Sequence, residues 1–367
     1  MKYYIIAGEA SGDLHGSHLI KAIHQEDAQA QVRCWGGDRM QQAGATLVKH
    51  YRELAFMGFV EVALHLRTIF KNLSFCKKDI ATFQPDVVVL IDYPGFNLRI
   101  ADWAKKQGMK VAYYIAPQVW AWKESRVATI KRSVDKMLVI LPFEQAFFKK
   151  HHYDTIYTGH PLTEVIAEEL QKPPVTVAEK TVIAILPGSR RQEIKTKLPL
   201  MLTAVKHFPE YQFVIAQAPG QDAALYQPFI TGQGVQLMNE GTYHLLRQAK
   251  AALVTSGTAT LETALFGVPQ VVCYKGNYLS YLLAKQLIKV KYISLVNLVL
   301  DQPCVKELIQ NHLNEQQIKQ ALGDLLHNPE TQDRIQLQYT KLWELLGKRK
   351  AATTASKEIV ALASSGH

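Results

Sequence analysis

Short apolar runs rich in β-branched and aromatic residues alternate with helix-length amphipathic stretches along most of the chain. In the first half the runs are Tyr3–Ala7, Gln31–Trp35, Asp86–Ile91, Lys110–Ile115, Met137–Leu141 and Thr155–Tyr157. In the second half they are Thr181–Leu186, Gln212–Ala216, Val235–Leu237, Ala251–Thr255 and Gln270–Tyr274. Most are continuous rather than alternating, as parallel strands covered on both faces require. The spacing predicts repeated βαβ units and hence open parallel sheets wound on both sides. The pattern pauses between His160 and Lys180, where Gly159-His160-Pro161 and Pro173-Pro174 interrupt it, and the domain boundary is expected there. The predicted architecture is α/β: two Rossmann-like, doubly wound parallel-sheet domains with a cleft between them. They are residues 1–165 and 166–340, and a C-terminal helix within 341–367 is available to pack back on the first. In such sheets ligands bind beyond the carboxyl ends of the strands, so the loops after each run are where chemistry is expected.

Composition narrows the class. A chain of 367 residues, 48% hydrophobic and 20% charged, suits two globular domains. Met1-Lys2 is followed by five apolar residues and then Gly8-Glu9, which is no secretory signal. The apolar stretches Leu54–Phe75 and Leu279–Leu300 are broken by Glu61, His65 and Arg67, and by Lys285, Lys289 and Lys291. Neither offers the ~18 clean apolar residues of a spanning helix, so the chain is expected not to cross a membrane, although it could lie on one. Four scattered cysteines, Cys34, Cys76, Cys273 and Cys304, carry no zinc spacing and are expected as reduced thiols in a cytoplasmic protein. A net charge of +10 favours an acidic partner without choosing among nucleic acid, anionic lipid and a phosphorylated substrate.

Five loops carry candidate chemistry, each with a structural alternative. Gly8-Glu9-Ala10-Ser11-Gly12-Asp13 follows the first strand and precedes a helix expected to begin near Ser17; it is a candidate anion cradle or a tight turn. It matches neither G-x-G-x-x-G nor a P-loop, which argues against NAD and ATP. Asp92, ending the run Asp86–Ile91 before Pro94-Gly95, is placed to act as a general base, or to cap a turn; Asn97 is the better cap. Pro117-Gln118-Val119-Trp120-Ala121-Trp122 could wall a sugar or lipid pocket, or simply pack. Gly188-Ser189-Arg190 offers backbone donors and a guanidinium suited to a diphosphate, or is a solvated turn. Ser256-Gly257-Thr258, with Glu262 one turn on, can bind a pyrophosphate and ribose, or form a capping box. His15 sits in the first loop and could be a base; like His160 it has no partner at metal-ligand spacing and defaults to a structural role.

The ordered set of motifs resembles the lipid-A-disaccharide synthases. Gly8-Glu9-Ala10-Ser11-Gly12-Asp13, Met57-Gly58-Phe59-Val60-Glu61-Val62, Ile91-Asp92-Tyr93-Pro94-Gly95-Phe96-Asn97 and Gln118-Val119-Trp120-Ala121-Trp122 carry it in the first half. Pro187-Gly188-Ser189-Arg190, Ser256 to Glu262, Ser294-Leu295-Val296-Asn297-Leu298 and Val305-Lys306-Glu307-Leu308 carry it in the second. Gly95 stands where the family often has an acidic residue, and Val296 where it has proline.

The resemblance implies a GT-B-type transferase. It would move 2,3-diacylglucosamine from UDP-2,3-diacylglucosamine to 2,3-diacylglucosamine 1-phosphate with inversion, needing no cofactor or metal. It implies Asp92 as base with Glu9 as the alternative. Gly8, Ser11, Gly12, Asp13, Asn97, Trp120 and Asn297 would serve the sugar substrates, Asn297 on the resemblance alone. Gly188, Ser189, Arg190, Ser256, Gly257, Thr258 and Glu262 would hold UDP. The expected partners are the two acylated sugars and an anionic membrane surface at the inner face of the inner membrane, not nucleic acid, with a homodimer as candidate assembly. Two alternatives stay open: a UDP-N-acetylglucosamine 2-epimerase, which shares the architecture, and, from another class, a sugar-nucleotide-binding regulator without turnover.

Overall fold

In the computed structural model the described residues are 1–53, 66–173, 178–239, 241–276 and 290–366. They form two compact units: residues 1–161 together with the C-terminal segment from Leu346, and residues 162–345. The chain therefore passes between units twice, after Pro161 and after Leu345.

The first unit is built on a seven-stranded, wholly parallel sheet in the order β3-β2-β1-β4-β5-β6-β7. Its strands are β1 (Lys2–Ala7), β2 (Gln31–Gly36), β3 (Thr46–His50), β4 (Val87–Ile91), β5 (Val111–Tyr114), β6 (Lys136–Val139) and β7 (Ile156–Tyr157). All five residues of β4 are buried. Side chains of odd and even positions go to opposite faces: Val88 and Leu90 join Tyr4, Ile6, Trp35 and Tyr113 on one side, while Val87, Val89 and Ile91 join Tyr3, Ile5 and Ala7 on the other. Each fully buried aliphatic side chain contributes about 2 kcal/mol of transfer free energy, which is why the runs are continuous. The C-terminal helix Ala351–Ser364 belongs to this unit and covers the second face with Ala355, Ile359 and Ala363.

The second unit repeats the plan with six parallel strands in the order β10-β9-β8-β11-β12-β13. They are β8 (Val182–Leu186), β9 (Gln212–Ala216), β10 (Gln236–Met238), β11 (Ala249–Thr255), β12 (Gln270–Tyr274) and β13 (Lys306–Ile309).

Three features differ from the sequence expectation. The edge strands β3 and β13 went unpredicted, because sequences such as Lys306–Ile309 are half-exposed and lack a continuous apolar run. The interval around residues 160–180 holds the helix Pro161–Leu170. The helix after β1 starts at Ala10 rather than near Ser17. Gly12 and Gly16 read as loop residues, yet they are buried in the helix, where a Cβ would press on Ala7 at 3.0 Å and collide with Met40 at 2.7 Å respectively.

Strand order settles which loops are neighbours. β1 lies between β2 and β4, and β8 between β9 and β11, so each sheet reverses its winding direction there. The crevice at such a reversal is where open α/β sheets take ligands. The loops after β1 and β4 flank the first reversal, and those after β8 and β11 the second. Four of the five loops singled out in the sequence thus fall in two adjacent pairs.

Candidate functional site

In the first unit, Asp92 follows β4 with φ +43°, and Tyr93 follows with φ +49°, two successive left-handed residues without the excuse of glycine. Such residues each cost about 1–3 kcal/mol and persist only when their surroundings impose them. Here the Asp92 carbonyl accepts from Tyr113 Oη at 2.6 Å and from Asn97 Nδ2 at 2.8 Å, while its N–H donates to Tyr114 O at 3.3 Å. Asn97 Nδ2 also donates to Ile91 O at 3.1 Å. The Tyr93 ring lies over Gly8, where a Cβ would stand 2.4 Å from it, so only glycine fits after β1. The backbone is thereby fixed and the half-buried Asp92 side chain stands at the carboxyl edge. Burial pushes its carboxyl up to about 6; the negative charge of Glu9 adds to this and the Tyr93 N–H opposes it. Glu9 is the N-cap residue of the helix Ala10–Glu26, whose opening residues Ala10 and Ser11 are exposed.

A third carboxylate belongs to the same edge and had no place among the expected site residues. Glu144, buried in the helix Pro142–Lys150, accepts from Leu141 N at 2.9 Å, Ile140 N at 3.1 Å and Trp120 Nε1 at 3.1 Å. Burial pushes it up to about 7 against those hydrogen bonds, and the charge of Asp92 adds to the rise. Glu144 therefore holds Trp120 in position, with the indole edge-on to Phe143 at 4.9 Å. The signal was the Leu141-Pro142-Phe143-Glu144 turn after a strand, which carries the same strand-to-helix form as the loops that were noticed. His15 and His160 are also buried; burial first, and then a neighbouring histidine (His18 for His15, His15 for His160) that disfavours a second positive charge, push them down to about 4 and about 3, so both are neutral at pH 7.

In the second unit, Ser189 and Arg190 are exposed at the start of the helix Arg191–Leu202, and Gln221 Nε2 holds Ser189 O at 3.0 Å. Gly257 (φ +150°) and Thr258 are exposed at the N-terminus of the helix Thr258–Leu265, a conformation at Gly257 that side chains rarely adopt. Ser256 Oγ instead donates to Ile293 O at 2.7 Å, tying the loop from behind. Glu262, half-buried and pushed up by burial, accepts from Tyr243 Oη at 2.9 Å.

Three residues expected to meet substrate are instead buried and directed at the protein itself. Asp13 accepts from Gly37 N at 2.8 Å, Met40 N at 3.0 Å and Arg39 N at 3.2 Å, closing the N-terminus of the helix Asp38–Gln42. Asn97 secures the Asp92 turn as described. Asn297 donates to Val305 O at 2.9 Å and Glu307 Oε1 at 3.0 Å and accepts from Val305 N at 2.9 Å, fastening the helix Leu295–Leu300 to β13. Their motif positions suggested ligand contact because a polar residue beside a glycine turn has the same appearance in either role.

Two outcomes check these assignments. Asp13→Ala leaves buried N–H groups unpaired and should lower stability by about 3 kcal/mol in urea unfolding; a loss under about 1 kcal/mol would return Asp13 to the ligand. Asp92 holds its proton up to about pH 6 when folded against an ordinary 3.8, so its contribution is full below 3.8 and is lost as pH rises through that window. Asp92→Asn should therefore melt above the parent at pH 7 and show a smaller fall between those two pH values; an equal or lower melting temperature at pH 7 would contradict the burial argument.

Known proteins resemble this chain in sequence and in fold. A family model described as "Lipid-A-disaccharide synthetase" matches residues 3–361. A lipid-A-disaccharide synthase of Syntrophus aciditrophicus is 40% identical, covering 96% of this chain and 95% of that protein. One from Geobacter metallireducens is 36% identical, with 94% and 92% covered. One from Coxiella burnetii is 35% identical, with 97% and 96% covered. Among solved structures, the glycotransferase of kitacinnamycin aligns with TM-score 0.69 at 14% identity, over 98% of both chains. UDP-GlcNAc 2-epimerase from Neisseria meningitidis, solved with UDP-GlcNAc, aligns with TM-score 0.66 at 14% identity, over 95% of this chain and all of that one. At that identity the two structures establish the shared GT-B fold alone.

Proposed function

The chain belongs to the lipid-A-disaccharide synthetase family, glycosyltransferases that make the lipid A disaccharide, and from that premise we propose the substrates and the chemistry. The donor is UDP-2,3-diacylglucosamine and the acceptor 2,3-diacylglucosamine 1-phosphate. The acceptor 6-hydroxyl oxygen attacks the donor's anomeric carbon as the bond from that carbon to the UDP oxygen breaks. Configuration inverts, and the products are the β-1,6-linked disaccharide 1-phosphate and UDP.

The observation that carries this reading is Asp92, a half-buried carboxylate at the first sheet's reversal with a proton affinity raised to about 6. That value lets it be ionised near neutrality yet basic enough to take the hydroxyl proton. Glu9 raises it electrostatically and is the alternative base. Trp120, held by Glu144, supplies an apolar wall for the sugar. In the second unit, Arg190 and the helix N-terminus at the exposed residues Gly257 and Thr258 meet the charge that develops on the leaving diphosphate. Glu262 is assigned to the ribose. Family membership ranks transfer above the epimerase alternative, since the epimerases share this chain's fold at 14% identity.

Asp92→Asn should lower turnover by roughly 10²-fold, with UDP binding little changed, and the parent's rate should rise with pH through about 6. Arg190→Ala should weaken UDP binding and slow turnover together. The measurement is product formation from the two defined lipids, with and without EDTA. Near-normal turnover of Asp92→Asn would move the base to Glu9, and loss of activity on chelation would overturn metal-free transfer.

Acylated substrates of this kind reside in a membrane, which calls for an entry surface on the enzyme. No helix among the described residues is long and apolar enough to cross one. In the helix Leu66–Phe83, Leu73, Cys76 and Ile80 are core, whereas Phe70 is 62% and Phe75 46% exposed, with Lys71, Lys77 and Lys78 beside them. Met57 and Phe59, in the same apolar stretch Leu54–Phe75 of the sequence, lie outside the described residues. We propose peripheral binding to an anionic leaflet through this face, each nearby lysine contributing about 1 kcal/mol. Phe70→Ser should reduce co-sedimentation with anionic vesicles at low salt. Equal recovery in the supernatant with anionic and neutral lipid would eliminate the membrane surface.

A further inference from the structure

Lys197 is the least expected charge in the second unit. It lies in the helix Arg191–Leu202 with its side chain 3% exposed, and its one ion-pair contact among the described residues is Glu193 at 3.9 Å, beyond hydrogen-bond length. Burial pushes its ammonium below the ordinary range; Glu193 and Cys273 act against the fall, and Arg190 adds to it. These partners locate the amine. Glu193 packs under the Pro187–Arg190 turn, its Oε2 standing 2.5 Å from where a Cβ on Gly188 would be. Cys273 is near the end of β12 and pairs in register with Thr255, the last residue of β11. Paired residues of parallel neighbours face the same side of a sheet. Thr255 is buried, and its Oγ1 has no hydrogen-bond partner in the structure. The Lys197 ammonium, beside the turn after β8, and the unpaired Thr255 hydroxyl, directly before Ser256-Gly257-Thr258, are thus linked through Cys273, which interacts electrostatically with the first and faces the same side of the sheet as the second.

Burying a lysine disfavours folding unless something repays the lost hydration, and a contact at 3.9 Å to a partly exposed carboxylate repays little. A diphosphate seated between the Gly188–Arg190 turn and the Gly257–Thr258 helix end would supply what is missing. We infer that Lys197 is a second cation of the donor-diphosphate site, working with Arg190, and that its charge strengthens binding of the nucleoside diphosphate and stabilises it as leaving group. This rests on the donor assignment proposed above and adds to it a residue that the Pro187–Arg190 motif does not contain.

The test compares Lys197→Met, which keeps the length of the side chain and removes its charge, with Glu193→Gln, which removes the competing carboxylate. Binding of UDP and of uridine to the full-length protein is measured by calorimetry, with a melting curve for each variant. In Lys197→Met, UDP affinity should fall roughly tenfold or more because a partly buried charge has been lost. Uridine affinity should not change, and the melting temperature should hold or rise. In Glu193→Gln, UDP should bind as tightly as in the parent or more tightly. UDP binding by Lys197→Met within about twofold of the parent, while the parent binds UDP well, would overturn the inference and leave the donor assignment standing. Parallel losses of stability and of both affinities in the two variants would mark the pair as a structural ion pair and overturn it as well. A folded parent that binds no UDP would remove the donor assignment itself.

Discussion

Strands β1, β4, β8 and β11 are packed on both faces, so their sequences have room for polar chemistry only where they end. The remaining architecture follows from that constraint. Backbone groups of a buried strand are satisfied by its neighbours, but the turn beyond it must find partners of its own. The Asp92 turn takes Tyr113 Oη and Asn97 Nδ2; the turn after β1 takes Tyr93 across Gly8; the turn after β11 takes Ile293 through Ser256. Side chains that would have contacted a ligand on a looser scaffold are consumed in fixing the backbone that presents the others.

The two edges differ in electrostatic character. The first holds three carboxylates, the charge of Glu9 acting on Asp92 and that of Asp92 on Glu144, with His15 and His160 held neutral by burial. Adjacent carboxylates cannot all ionise cheaply, so each raises the proton affinity of the next. The second presents Arg190 and the open helix end at Gly257, with Lys197 behind them. A carboxylate edge suits removal of a proton from a neutral hydroxyl, and a cationic edge suits a departing diphosphate.

Buried polar residues give the scaffold its rigidity. Asp13, Asn97, Asn297 and Glu144 each bind two or more backbone groups. Asp13, Asn97 and Glu144 do so where a strand end meets a helix start, the junction at which an error of an ångström would misplace a reacting group, and Asn297 ties its helix to the residue before β13.

By itself the sequence determined the fold class and most of its strands, because continuous apolar runs such as Val87–Ile91 admit little but a strand covered on both sides. It also located the five loops, since glycine and proline after a strand mark a turn wherever the chain later goes. It gave no access to strand order, which depends on contacts between segments far apart in the chain; only that order places the loop after β1 beside the one after β4, and the loop after β8 beside the one after β11. The half-exposed edge strands β3 and β13 escaped because an edge needs no apolar run. The helix start at Ala10 escaped because glycine reads as loop until Ala7 and Met40 are seen against it. The tertiary structure alone separated the polar residues that secure the scaffold, such as Asp13, Asn97 and Asn297, from those left at the edge, such as Asp92 and Arg190. It also drew in Glu144 and Lys197, whose position in a helix says nothing of the partners that burial gives them.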